Sequence, residues 1–229
     1  MPQSQLSSLL GLTSQPVAIA FCSSAPSGVA HVAQPEPAGC GYWRRAAAGE
    51  VFYTEASDHM GCPVGAHTHS VQLSAEKKKE LEGLIGVMVG LEYLKMEDVP
   101  GIPTRKTPFE VAVYAPLEEA PVAPDVVLVR GNARQLMLLA EAAQSAGVSG
   151  TGPTMGRPTC AVLPEALNAQ KTSASFGCIG NRVYTGAGDN DAYFAIPGDQ
   201  LGAVEARLEV MVRANHELEK FHRARLPLA

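Results

Sequence analysis

The chain has 229 residues, which corresponds to one domain or two small ones at roughly 100–200 residues per domain. Its 18 Lys and Arg residues against 23 Asp and Glu residues give a formal net charge of −5. This balance excludes a general attraction for nucleic-acid phosphates or for an anionic membrane surface, so we predict neither partner.

The N-terminal segment lacks the basic start and the apolar stretch of a secretory signal, and apolar runs such as PVAIAFC are only of strand length. We therefore predict a cytoplasmic protein without a membrane span. Five cysteines in such a chain argue against a disulfide framework, because the cytosol keeps thiols reduced. Metal binding or catalysis then competes with simple burial of each cysteine as a small apolar residue.

Short runs of β-branched and aromatic residues, separated by proline-rich and glycine-rich stretches, predict β-strands. These runs are 16–22, 51–55, 110–114 and 125–130, with a further strand pair around 183–196. Apolar residues at three- and four-residue spacing predict amphipathic helices over 76–94, 133–146 and 200–223. Ser74 and Asp199 precede two of these helices as candidate N-caps, and Gly147 follows the third as a candidate C-cap residue.

The two halves of the chain repeat an order of predicted elements. In each half a strand is followed by a cysteine that opens a short helical stretch, then by an extended segment and a Gly-Cys turn. Cys40 precedes Cys62 by 22 positions, and Cys160 precedes Cys178 by 18. We therefore predict an α/β fold, a pseudo-duplicated mixed sheet with flanking helices, in a single domain with two similar halves, 1–115 and 116–229. The alternative is an α/β chain that merely alternates similar elements.

Four cysteines are predicted to bind a metal centre: Cys40, Cys62, Cys160 and Cys178. Two similar units that pack about a pseudo-twofold axis would bring these thiols to one point. Cys40 and Cys160 each open a helix, whose N-terminus favours thiolate over thiol. Cys62 and Cys178 each follow a glycine, which lets backbone N–H groups approach sulfur as they do around iron–sulfur clusters. Cys22 ends an apolar strand and is expected in the core.

Four thiolates suit an iron–sulfur cluster or zinc, and the lack of a close Cys-x-x-Cys pair argues against an ordinary zinc knuckle. We predict a four-iron, four-sulfide cluster for electron transfer or redox catalysis, held by three or four of the cysteines. The alternatives are a haem or small-molecule binding protein, with Cys62 or a histidine as axial ligand, and thiol chemistry at Cys160 or Cys178. The expected partner is a redox protein or a small-molecule substrate, and assembly into a homo-oligomer stays open.

Three histidines near Cys62 are candidates for metal binding or for acid and base catalysis. His59 lies three positions before Cys62, and His67 and His69 alternate on a predicted strand face. The competing interpretation of the last two is a polar strand face.

Two arginines lie close in sequence to the candidate ligands. Arg182 and its neighbour Asn181 follow Cys178, and Arg157 precedes Cys160, so each could donate hydrogen bonds to an anionic substrate or to the cluster. Structural salt bridges are the alternative role for both.

Three segments of the chain are distinctive: DHMGCPVGAHTH, GRPTCAVLP and FGCIGNRVYTG. In these segments the chain resembles the uncharacterised bacterial and archaeal domain-of-unknown-function family 169, and the likeness extends through most of its length. The resemblance implies kinship without supplying a reaction. It places Cys62, Cys160 and Cys178 inside the family-like segments and leaves Cys40 and Cys22 outside them.

Overall fold

The computed structural model of the protein describes residues 4–150, 153–154 and 158–226. Seven strands form one sheet in the order β2-β3-β1-β4-β7-β6-β5. The strands are β1 (Val17–Cys22), β2 (Phe52–Glu55), β3 (Val111–Pro116), β4 (Val126–Gly131), β5 (Pro153–Thr154), β6 (Ser173–Ser175) and β7 (Ala192–Pro197). All neighbours pair antiparallel except β5 and β6, which are parallel, so the predicted mixed α/β sheet is confirmed.

Eight α-helices and several 3₁₀ turns connect the strands in the described residues. The helices are α1 (Leu6–Leu10), α2 (Gly39–Ala47), α3 (Pro63–Thr68), α4 (Ala75–Gly90), α5 (Ala133–Ser145), α6 (Val162–Ala169), α7 (Ile179–Thr185) and α8 (Leu201–Arg223). None of them combines the length and the apolar character that crossing a bilayer requires.

The two halves of the sheet are built alike. In the first half β1 pairs with β3 and β3 with β2, and in the second β4 pairs with β7 and β7 with β6. The strand pairs β1–β3 and β4–β7 each end in the same hydrogen bond at 2.8 Å. In the first pair Leu117 N–H donates to the Pro16 carbonyl, and in the second Gly198 N–H donates to the Asp125 carbonyl. The strand before each of these donors ends in a proline. The predicted pseudo-duplication therefore extends to individual backbone contacts.

The two halves meet at the pairing of β1 with β4. Val17 lies opposite Leu128, Ala18 opposite Val127, and Ile19 opposite Val126. Val17 and Val126 are corresponding positions, because each begins its strand opposite the terminal proline of its partner. The pairing is therefore unchanged when the halves are exchanged, which is the property of a twofold interface.

Each face of the sheet is covered by a different set of helices. Alternate residues of the central strands point to opposite faces, as Val17 and Ile19 do relative to Ala18. One core contains residues of α2, α3 and α6 and includes Cys40, with Cys62 and Cys160 packed against it. The other core contains residues of α1, α5 and α8. The candidate ligands therefore belong to the first face.

The structure corrects two predictions about secondary structure in the second half. Val183, predicted in a strand pair, lies in α7, and only the later part of that region forms a strand, β7. The helix forms because the Cys178 side chain caps its start and Gly186 ends it in the left-handed conformation. Asp199, predicted as an N-cap, lies in a 3₁₀ turn before α8 and does not cap it.

Two other cap predictions are confirmed. The Ser74 side chain accepts the backbone N–H of Lys77 at the start of α4. Gly147 follows α5 with φ +75, a conformation that glycine adopts without strain. Helix α4 itself has no buried residue, whereas α5 buries five.

Candidate metal centre

All four candidate ligands lie where a helix or a helical turn begins. Cys40 is the second residue of α2, and Cys62 and Cys178 are the N-cap residues of α3 and α7. Cys160 lies in the 3₁₀ turn Thr159–Ala161 that leads into α6. The same pair of positions therefore recurs in each half, because Cys40 and Cys62 lie before and after β2, and Cys160 and Cys178 lie before and after β6.

The fold brings these four starts together. Helix α2 packs against α7 and α3, and α3 packs against the turn that carries Cys160. Ionised Cys62 and Cys178 would each raise the pKa of Cys40, and Cys178 that of Cys62. The other three thiols likewise raise the pKa of Cys160. All six pairs among the four thiols are therefore within electrostatic range of one another.

Cys62 and Cys178 have matching local geometry. The Cys62 sulfur accepts the backbone N–H of Gly65 at 3.4 Å, and the Cys178 sulfur accepts that of Asn181 at 3.4 Å. Each sulfur thus occupies the position of a capping oxygen and faces the free N–H groups of a helix start.

The glycine before each of these cysteines is required for a different reason. A Cβ on Gly61 would lie 2.8 Å from the Glu36 carbonyl oxygen, so the two backbone segments leave no room for a side chain. Gly177 has φ +83, which residues with a side chain rarely adopt. In both turns glycine therefore permits a backbone path that a residue with a side chain would disturb, directly before a candidate ligand.

Within each half the two cysteine segments are hydrogen-bonded to each other. Cys178 N–H donates to the Thr159 hydroxyl at 2.5 Å, which joins the Cys178 turn to the Cys160 turn. In the first half the Tyr42 hydroxyl donates to the Asp58 carbonyl at 2.8 Å, which joins α2 to the turn before Cys62. These bonds hold both thiols of a half in fixed relative positions.

Two polar side chains connect one half to the cysteine of the other. Asn181 of α7 faces Cys40 and lowers the pKa of that thiol, and Thr68 of α3 does the same for Cys160. Neither amide atom of Asn181 completes a hydrogen bond within the described residues, although the side chain is buried. The sequence indicates Asn181 as a candidate donor because it lies close to Cys178, whereas Thr68, a small polar residue inside a short helix, has no distinctive spacing.

Burial dominates the acidity of these thiols. It raises the pKa of Cys40 to about 12 and also raises the pKa values of Cys62 and Cys160. Cys40 and Cys160 lie at helix starts as predicted, but burial raises the pKa of both thiols instead of favouring their thiolates. Cys22 lies on β1 beside a separate small apolar cluster and takes no part in the site.

The three candidate histidines are on a helix and a turn, not on a strand. His67 lies on α3 and is exposed, whereas His59 and His69 are each only 2% exposed. The predicted strand face is wrong because Cys62 caps this segment and Pro63 occupies the first helical position. The rings of His59 and His69 stack at 5.9 Å between centroids.

Both buried histidines are neutral at pH 7. Burial lowers the pKa of His59 to about 3 and that of His69 to about 4. His59 Nε2 lies 2.9 Å from the Thr54 hydroxyl, and His69 Nδ1 lies 2.9 Å from the Gly65 carbonyl oxygen. Because that oxygen can only accept, His69 carries its hydrogen on Nδ1 and has a free lone pair on Nε2.

Arg182 uses its guanidinium to join loops. It donates to the carbonyl oxygens of Gly188 at 2.5 Å, Phe176 at 2.7 Å and Asp191 at 3.3 Å. This geometry favours a structural role over contact with a substrate. The side chain also borders a cleft of about 860 Å³ that includes Phe194 of the opposite core. Arg157 lies outside the described residues.

In the described ranges, no three His, Cys, Asp or Glu side chains are close enough together to hold a single metal ion. The thiolates of a multi-iron cluster stand further apart than the ligands of one ion, since iron and sulfide atoms lie between them.

Comparisons with known proteins place the chain in a family. Searches of curated proteins and of solved structures gave no significant match. Residues 5–207 match the family model of DUF169, described as an uncharacterised ArCR family. All four candidate ligands lie in the matched region, including Cys40, which is outside the segments that first suggested the likeness. The chain therefore belongs to the DUF169 family.

Proposed function

We propose that Cys40, Cys62, Cys160 and Cys178 bind an iron–sulfur cluster that serves electron transfer or redox catalysis. The observation that supports this most is the packing of the four segments that carry the thiols: α2 contacts α7 and α3, and α3 contacts the turn of Cys160. They enter from both halves of a pseudo-twofold sheet, so a centre between them would also hold the halves together.

The chemistry of the thiols supports metal binding over nucleophilic catalysis. A reactive thiol needs a low pKa and access to its target, whereas burial raises the pKa of Cys40, Cys62 and Cys160. A metal centre displaces the thiol protons and supplies positive charge that stabilises buried thiolates. The N–H groups of Gly65 and Asn181 already point at sulfur, as is usual around iron–sulfur clusters.

The arrangement of ligands favours a cluster over structural zinc. Structural zinc sites usually take ligands in close pairs from Cys-x₂₋₄-Cys turns, whereas each thiol here comes from its own turn. The unsatisfied amide of Asn181 could donate to a cluster sulfur or to a ligand thiolate.

Anaerobic purification followed by iron, sulfide and zinc analysis tests the proposal. We expect about four iron and about four sulfide ions per chain, together with broad visible absorption. Cys22→Ser is the matched control, because Cys22 is a cysteine of the same chain outside the site, and this variant should keep the full metal content. Stoichiometric zinc without sulfide, or a folded and colourless metal-free protein after reconstitution, would overturn the cluster.

A further inference from the structure

Four buried polar side-chain atoms of the first half have no hydrogen-bond partner in the described chain: Trp43 Nε1, His69 Nε2, Arg105 Nη1 and Tyr114 Oη. Trp43 packs against Tyr193 of the second half, whereas the other three side chains lie around Phe21 and His59. Buried polar atoms are nearly always paired, because each unpaired one loses its bonds to water without compensation. Neither the thiol centre nor the packing of the sheet accounts for these three.

The backbone fixes Arg105 beside His69. Arg105 N–H donates to the Thr68 carbonyl at 2.9 Å, and the Ser70 hydroxyl donates to the Arg105 carbonyl at 2.5 Å. Arg105 is therefore hydrogen-bonded to the residue before His69 and to the residue after it, at the end of α3. Its guanidinium lies 3.7 Å from the centroid of the Phe21 ring, which is itself 6.3 Å from the His69 ring.

Aromatic rings connect this group to Tyr114. The His59 ring is 5.9 Å from His69 and 6.3 Å from Tyr114, and Phe109 lies 5.4 Å from His59. Burial lowers the pKa of His69 and raises that of Tyr114, and the charge of Arg105 acts to lower both, as expected for a cation near both residues. The three unpaired atoms thus belong to one cluster enclosed by rings, and not to separate parts of the core.

Arg105 has no carboxylate within 4.0 Å among the described residues. Asp125 acts on it only at longer range, and one oxygen of that carboxylate already accepts Phe21 N–H at 2.6 Å. A partly buried cation without a counter-ion is unfavourable, and a bound anion would relieve the cost.

The hydrogen-bonding pattern specifies the ligand further. Arg105 and Tyr114 can donate to an anionic oxygen, whereas His69 Nε2 can only accept, since its hydrogen is on Nδ1. A complementary ligand therefore presents an oxyanion to the first two residues and a hydrogen-bond donor to the third.

We propose that His69, Arg105 and Tyr114 form a binding site for a small hydroxycarboxylate. Its carboxylate contacts Arg105 and Tyr114, and its hydroxyl donates to His69. Arg105 and Phe21 are partly exposed, whereas His69 and Tyr114 are buried, so the ligand enters past the arginine. The Thr68 hydroxyl lies 3.1 Å from His69 Nδ1 and also neighbours Cys160, which places this site next to the thiol centre.

Binding of a hydroxycarboxylate by His69, Arg105 and Tyr114 does not depend on the identity of a metal at the thiol centre. Glycolate and acetate are the probes, because they differ in the hydroxyl that His69 would accept. Thermal unfolding and titration calorimetry of the full chain at constant ionic strength should show saturable binding of glycolate, with acetate at least about tenfold weaker.

Tyr114→Phe removes only the hydroxyl that has no partner. We expect glycolate affinity to fall at least about tenfold, while the unfolding temperature of the ligand-free protein and its metal content stay unchanged. Arg105→Met should abolish binding. Tyr53→Phe, on the neighbouring strand β2, is the matched control and should bind glycolate as the unaltered protein does.

Three results would overturn the site. The first is no saturable binding of either anion, and the second is equal binding of both that persists in Tyr114→Phe, which indicates a general salt effect. The third is a lower unfolding temperature of ligand-free Tyr114→Phe, which indicates that a buried water already satisfies this hydroxyl. Loss of metal content in a Cys62→Ser variant, by contrast, would concern only the thiol centre.

Discussion

Corresponding positions of the two halves carry different side chains on the face that holds the cysteines. Tyr114 and Ala195 both lie two residues before the proline that ends their strand, and their partners on the next strand are Phe52 and Ser173. The first half is filled with large aromatic rings there, and the second with small residues. The thiols, in contrast, recur in both halves.

This difference indicates a division of roles. Features present in both halves, the capping cysteines and the glycines before them, belong to the proposed metal centre. His69 and Arg105, found in the first half alone, belong to a cluster of unpaired polar atoms. In the two proposals the symmetric frame would therefore supply the ligands, and the asymmetric side chains would select a small molecule.

The largest effect is expected from the two capping cysteines. Cys62→Ser and Cys178→Ser should each lower the iron and sulfide content to a small fraction of that of the unaltered chain, because each removes one sulfur from the same centre. Metal analysis after anaerobic reconstitution checks this. If one of these two variants keeps its metal while the other loses it, Cys62 and Cys178 are not equivalent ligands.

Acid should destabilise the metal-free protein through the first half. His59 and His69 have pKa values lowered from 6.5 to about 3 and about 4, so the unfolded chain binds protons that the folded chain excludes. Stability is therefore lost as pH falls below 6.5, by roughly 1.4 kcal/mol per pH unit for each histidine.

Urea unfolding between pH 7 and pH 5 measures this slope. His69→Gln should reduce it, and His67→Gln, which replaces an exposed histidine of the same segment, serves as the control. An equal reduction in both variants would contradict the assignment of the slope to the buried residue.

The glycines before the capping cysteines should respond unequally. Gly61→Ala places a methyl group against a backbone carbonyl that cannot move aside, and we expect a loss of about 3 kcal/mol. Gly177→Ala meets strain only in φ and should cost about 1–2 kcal/mol, with Gly177→Asn milder because Asn tolerates this conformation. Equal losses in denaturant unfolding for the two alanine variants would argue against these separate causes.

The smallest effect concerns helices α4 and α5, whose N-caps are Ser74 and Asn132. Replacing either residue by alanine should cost about 1 kcal/mol locally. Because α4 buries no residue, Ser74→Ala should speed hydrogen exchange in that helix without lowering global stability. Because α5 buries five residues, Asn132→Ala should lower the global stability. A global loss in Ser74→Ala would show that α4 is coupled to the core.

The sequence predicts the frame of the molecule better than its polar cluster. Alternation and apolar runs identify β1 to β4, and Gly-Cys turns identify Cys62 and Cys178, because these features depend on neighbouring residues. The short strand β6 has no distinctive pattern. The short helix α3 has none either, and the alternation of His67 and His69 therefore predicts a strand where the structure has a helix. Arg105 and Tyr114 meet only through tertiary packing, which local spacing does not encode.

Differential alkylation read by mass spectrometry tests most directly whether the four cysteines share one centre. In protein kept from air, Cys40, Cys62, Cys160 and Cys178 should be protected together, and a chelator should make all four reactive together while labelling of Cys22 is unchanged. If the chelator alters only some of the four, or none, the thiols do not share a centre.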